Sequence, residues 1–85
     1  MSVDKLAVIL EQFYNFQPKG EKAISMQIFG IYFADKIESP KEIIEKTKLP
    51  KTYVTEINKG KKLSKYVTIT NKKVITKLEE LIKQK

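Results

Sequence analysis

The sequence predicts a mainly α-helical fold with one short β element, and three observations predict it. Apolar residues recur at helical spacing in stretches at both ends of the chain and in one between them. Residues 39–60 read as a capped helix, a proline break and a second helix. Residues 63–70 then switch to β-branched and aromatic residues in alternation. With 85 residues, the chain 1–85 is expected to be one small domain of five helices.

Residues 2–16 (SVDKLAVILEQFYNF) form the first predicted helix. Ser2 suits the N-cap and Asp4 the positive helix end. Leu6, Ile9, Leu10, Phe13 and Phe16 make its stripe. Val8 and Tyr14 widen that stripe beyond what a small monomer easily covers, so a second subunit is expected against it. Gln17-Pro18-Lys19-Gly20 is a turn. Residues 21–37 form the second helix, which starts near Glu21 or, if shorter, is capped by Ser25. Its run Ile28 to Ala34 is apolar nearly all round, which makes the helix central. Gly30 is expected at a close helix contact, and the aromatics around it as core rather than as a ligand pocket.

Ser39 is an N-cap, Pro40 the first helical residue, and Glu42, three residues after the cap, completes a capping box. Leu49-Pro50 breaks the helix, because the residue before a proline is pushed out of the helical region. A second short helix, 50–59, places Val54 and Ile57 on one inward face. Gly60 stands where such a helix stops. Two short helices joined by a tight turn, with lysines around the second, describe a helix-turn-helix over 39–60. Leu63, Lys65, Val67 and Ile69 alternate with Tyr66, Thr68 and Thr70, as a strand or minimal wing would over 63–70. Residues 71–85 form the last helix, with Val74, Ile75, Leu78, Leu81 and Ile82 as its stripe. Two heptads are too short for a coiled coil alone, so this helix is expected to join the first in a shared dimer layer.

Charge is distributed unevenly. The net charge is +7, and every basic residue is Lys. Residues 1–45 hold five Lys against seven acids. Residues 46–73 hold nine Lys against Glu56 alone, and residues 74–85 three Lys against two Glu. A positive excess confined to a helix-turn-helix and its sequel is the electrostatic footprint of a nucleic-acid binder. Lys is a point charge without the fork that reads guanine, so phosphate, methyl and shape contacts should dominate.

The order ISMQIFGIYF, SPKEIIEKTKLPKTYVTEI, KLSKYVTITNKKVITKLEEL resembles small winged helix-turn-helix regulators of the MarR kind, over roughly residues 24 to 82. It is also similar to small winged-helix regulators of archaea and of their viruses and plasmids. LPKTYVTEINKGKK by itself resembles the recognition helix of Cro- and repressor-type proteins. The resemblance implies a winged domain with a dimerisation helix after the wing. The chain departs from the pattern at Ile44, where a small residue is usual, and at Lys48, where a glycine is.

Helical spacing turns Lys51, Thr52, Thr55, Glu56 and Lys59 outward, with Tyr53 and Asn58 at the flanks. Thr52 and Thr55 suit base edges or thymine methyls, and Glu56 a cytosine amine or a balancing lysine. Lys51 and Lys59 suit bases or phosphates, Lys61, Lys62 and Lys65 phosphates near the wing, and Tyr53 a phosphate or an intramolecular contact. Thr68, Asn71, Lys72 and Lys73 are candidates for the flanking backbone.

The expected partners are double-stranded DNA and a second copy of the chain, with no cofactor, no metal and no membrane. A homodimeric, sequence-specific transcriptional regulator is the leading reading. A partition, copy-control or DNA-coating role is the alternative, and a winged-helix module for an acidic protein partner is the alternative of another class. RNA is disfavoured, since the basic region offers only Tyr53 and Tyr66 for stacking. An enzyme is not expected, since the chain lacks His, Cys and a phosphate-cradling glycine motif. No signal peptide or long apolar run stands out, so the cytoplasm, with nucleoid association, is the expected compartment.

Overall fold

The computed structural model describes residues 1–84, so Lys85 of the expected last helix lies outside the described residues. Five helices follow in order: α1 Val3–Phe16, α2 Lys22–Tyr32, α3 Pro40–Glu45, α4 Tyr53–Leu63 and α5 Lys72–Lys83. The chain measures 30 × 29 × 27 Å along its principal axes. No described helix is long and apolar enough to cross a membrane.

The caps explain most of the helix starts. Ser2 Oγ accepts from the Lys5 N–H at 3.1 Å, and Ser39 Oγ from the Glu42 N–H at 3.3 Å, with Pro40 opening α3. Ser25 does not cap. It is buried inside α2 and returns its hydroxyl proton to the Glu21 carbonyl at 2.9 Å. Thr47 ends α3 by two bonds: its hydroxyl donates to Ile44 O at 2.7 Å and accepts from the Leu49 N–H at 3.1 Å. Lys22 caps the other end of α1. Its ammonium donates to Tyr14 O at 2.5 Å and Gln17 O at 2.8 Å, where the helix dipole is negative. Gly20 holds the α1–α2 turn at φ +98°, a conformation that only glycine adopts freely. The turn at Lys48 needs no such freedom, since no described residue other than glycine has positive φ.

The core joins Leu6, Ile9, Leu10 and Phe13 of α1 to Met26 and Phe29 of α2, Ile43 and Ile44 of α3, Ile57 of α4, and Leu78 and Leu81 of α5. Phe29 of α2 and Phe33 at its C-cap pack 5.0 Å apart between ring centroids, so these aromatics fill the core as expected. α2 and α4 pack most extensively, and their crossing is set by two glycines. A Cβ on Gly30 would collide with the Ile57 carbonyl oxygen and lie 3.0 Å from Gly60 Cα. A Cβ on Gly60 would collide with the Gln27 carbonyl oxygen. Gly30 is therefore the close contact its place in the sequence suggests, and Gly60 is its partner.

Two expectations are corrected here. Gly60 does not end α4, which runs on to Leu63, because the glycine is needed for packing rather than for a left-handed cap. The short β element and the wing do not form. Residues 63–70 contain no strand, and none exists elsewhere among the described residues to pair with them. The segment after Leu63 closes a last turn, with Tyr66 and Val67 N–H groups donating to Leu63 O, and then runs extended to α5. The α5 stripe Val74, Leu78 and Leu81 is buried within the chain, with α5 packed on α1. Tyr14 is likewise occupied internally, against Tyr53, while Val8 stays exposed.

Candidate nucleic-acid interface

α3 and α4 form the helix-turn-helix that residues 39–60 suggested, joined by residues 46–52. α3 is anchored by Pro40, Ile43 and Ile44, all buried. α4 enters through a turn in which the Tyr53 N–H donates to Pro50 O and the Val54 N–H to Lys51 O. Thr52 stands at the cap position in helical conformation, and its side chain makes no capping bond. Its hydroxyl is thus not spent on the helix.

Two faces of α4 separate cleanly. Ile57 and Gly60 are buried, with Val54 half-buried beside them. Counting about 100° per residue from Thr55, the residues Lys51, Thr52, Asn58, Lys59 and Lys62 fall within about 60° of it. All six are exposed. Five of the nine proposed contact residues, Lys51, Thr52, Thr55, Lys59 and Lys62, therefore share one open face.

The remaining four are placed differently. Lys65 is exposed just past the helix end. Tyr53 is half-buried, its ring 5.7 Å from that of Tyr14 on α1, and the adjoining Tyr14 side chain raises the Tyr53 phenol above its ordinary value. That contact fixes the start of α4 against α1. Glu56 accepts from Gln27 Nε2 at 2.7 Å on one oxygen and meets Lys59 Nζ at 3.4 Å on the other. The Gln27 hydrogen bond, with Lys59 adding to it, holds the carboxyl below the usual range. Glu56 therefore ties α4 to α2. Lys61 points away from the open face, and its ammonium donates to Ile37 O at 2.5 Å.

Pairing also trims the lysine-rich segment. Lys46 bonds Asp4 of α1 at 2.9 Å, which raises its pKa, and Lys61 is held by a carbonyl. Lys48, Lys51, Lys62 and Lys65 are exposed and make no salt bridge among the described residues. The free positive charge is thus less than the raw count, and Lys72 and Lys73 at the start of α5 are exposed as well. Asn71, expected at a flanking phosphate, caps α5 by accepting from the Val74 N–H at 3.1 Å. Asn58 was placed only at the flank and is fully on the open face. Tyr66, 83 % exposed, lies in the turn just past the end of α4. The signal for Asn58 lay in the helical count itself, which places it as near to Thr55 as Thr52 is.

No curated protein and no solved structure gives a significant match to the chain. A family model described as an HTH-like domain matches residues 2–70, which span α1 to the extended segment after α4. With most of its length under that match and a helix-turn-helix at its centre, the chain belongs to the HTH-like domain family.

Proposed function

We propose that the chain is a sequence-specific, double-stranded DNA-binding protein, most simply a homodimeric transcriptional regulator. The observation that carries this reading is the open face of α4: two threonines and one asparagine framed by Lys51, Lys59 and Lys62, on the second helix of the helix-turn-helix. Threonine and asparagine side chains donate, accept or touch thymine methyls at base edges, and the lysines meet the phosphates on either side. The N-terminal half of α4 is the part that enters the major groove, as the second helix of such motifs does. Family membership supports a DNA partner and leaves the regulatory role as our reading.

A homodimer would be closed by the outer faces of α1 and α5, where Val8 and Phe16 remain about half exposed. Two protomers about 30 Å across, side by side, suit recognition helices one DNA turn apart, about 34 Å. If each protomer meets three or four phosphates, log K falls against log salt with a slope of roughly −5 to −7. A salt titration on duplex DNA, followed by footprinting on the DNA upstream of the chain's own gene, tests the reading. A short protected site with that slope supports it. A spreading footprint supports a DNA-coating role instead, and salt-independent affinity contradicts both.

A further inference from the structure

Among the described residues two polar side chains are buried, Ser25 and Gln17. Ser25 is satisfied, its hydroxyl donating to Glu21 O. Gln17 is satisfied only along its backbone, where the N–H donates to Phe13 O and the carbonyl accepts from Lys22. Its side-chain amide has no hydrogen-bond partner among the described residues, although Gln17 is only 7 % exposed. No sealed-off polar side-chain atom there lacks a partner, so the amide oxygen and nitrogen of Gln17 both lie open. A mostly buried donor and acceptor without partners are costly unless something else meets them.

Gln17 lines a cleft of about 450 Å³ between the α1–α2 turn and the extended segment that enters α5. That volume lies within the range of small-molecule sites, about 300–1,000 Å³. Phe16, Ile28, Ile69 and Val74 give the cleft apolar walls. Glu21 and Lys73 also line it, both exposed and not paired with each other. Their charges cancel, which favours a neutral occupant over an anion or a cation. The amide sets the rest of the chemistry, because it offers one acceptor and a donor side by side. Solvent can meet both in the free chain, and a molecule that displaces it must reproduce both hydrogen bonds. A carboxylate only accepts and an ammonium only donates, so each leaves one amide atom unmatched. Hydrocarbon matches neither, and a carboxamide or lactam edge matches both.

We propose that this cleft binds a small neutral molecule with an apolar body and a carboxamide-type edge, the edge held by the Gln17 side chain and the body by Ile28, Ile69 and Val74. None of the lining residues belongs to α4, so the proposal does not rest on the DNA-binding reading above.

The test uses the full chain, isotope-labelled for NMR, and four probes that share one phenyl ring: benzamide, benzoate, benzylamine and toluene. Each is titrated at millimolar concentrations while the Gln17 side-chain amide and the methyl groups of Ile28, Ile69 and Val74 are followed. Benzamide is expected to move these resonances together. The other three are expected to bind at least about tenfold more weakly, since each leaves one or both amide atoms unmatched. Gln17→Leu replaces the amide by an apolar group of similar size. It should melt no lower than the wild type, because the amide bonds nothing in the chain, and should bring benzamide down to the level of toluene. Gln17→Met, unbranched like glutamine, carries the same expectation should the leucine variant fail to fold. Tighter binding of benzoate or benzylamine overturns the proposal in favour of a site set by Lys73 or Glu21. Toluene binding as well as benzamide, or benzamide binding unchanged in the Gln17 variants, reduces the cleft to an apolar one and overturns it. The same resonances moving with protein concentration alone place a second copy of the chain on the cleft and overturn it. So does the absence of any movement with all four probes.

Discussion

The inner and outer faces of α4 are built on opposite terms. The inner face is specified almost atom by atom: Ile57 is fully buried, Gly60 admits no Cβ, Glu56 is bonded to Gln27, and Lys61 is bonded to Ile37 O. The outer face, Lys51 to Lys62, touches little of the protein and is free in composition as far as folding is concerned. One helix therefore separates what makes the domain fold from what lets it meet a partner. Substitutions on the two faces should fall into two classes, and that separation can be broken or sharpened by experiment.

The largest effect is expected on the inner face. Ile57→Ala empties the centre of the α2–α4 contact and should cost about 2–5 kcal/mol, read as a lower urea midpoint. Gly60→Ala is the sharper test. In an exposed helix it would stabilise by about 1 kcal/mol through propensity. Here the added methyl meets the Gln27 carbonyl, backbone rather than a flexible side-chain tip, so overpacking by about 1–3 kcal/mol or more should win. A stabilised Gly60→Ala would show that the two helices slide apart easily, and the close crossing would lose its role.

Outer-face changes should leave stability within about 0.5 kcal/mol and act on binding. Thr55→Ala should weaken a cognate duplex by about 1–2 kcal/mol while sparing unrelated sequences. Lys51→Ala should weaken all duplexes alike and reduce the salt slope by about one. A fall in the urea midpoint for either variant would blur the line between the faces.

The smallest effect concerns Glu56, on the border between them. Its folded pKa is depressed, chiefly by Gln27. A depressed carboxyl contributes stability above its unfolded pKa of about 4.5 and loses it as pH falls through the folded value. Glu56→Gln should therefore lower the melting temperature slightly near neutrality and flatten its loss below about pH 4.5, the two chains converging as pH falls.

The comparison also shows which parts of the molecule were legible from residues. Ser2 and Ser39-Pro40 announced their helices because capping is local chemistry, decided within four residues. The helix-turn-helix followed from those caps and the proline. Gly60 misled, because one residue type serves two ends: a left-handed cap is local, whereas room for a crossing helix depends on Gly30, thirty positions away. The stretch 63–70 misled for a related reason. Its β-branched pattern is real, but a strand needs a partner, and none of the described residues supplies one. Ile69 instead turns partly inward against the core from an extended connection. The pairing of α5 with α1 is readable from their apolar stripes. For the candidate site, the outward set of α4 was readable from spacing. The diversion of Tyr53, Glu56 and Lys61 was not, since their partners Tyr14, Gln27 and Ile37 come from elsewhere in the sequence.

The central claim is that the outer face of α4 meets duplex DNA, and one comparison tests it most directly. Anisotropy of a labelled duplex is titrated at low salt with the wild-type chain and with a triple variant, Lys51→Ala, Thr55→Ala and Lys62→Ala, whose melting temperatures are measured alongside. The account predicts equal melting temperatures and an affinity lower by roughly a hundredfold or more in the variant. Equal affinity at equal melting temperature would contradict it.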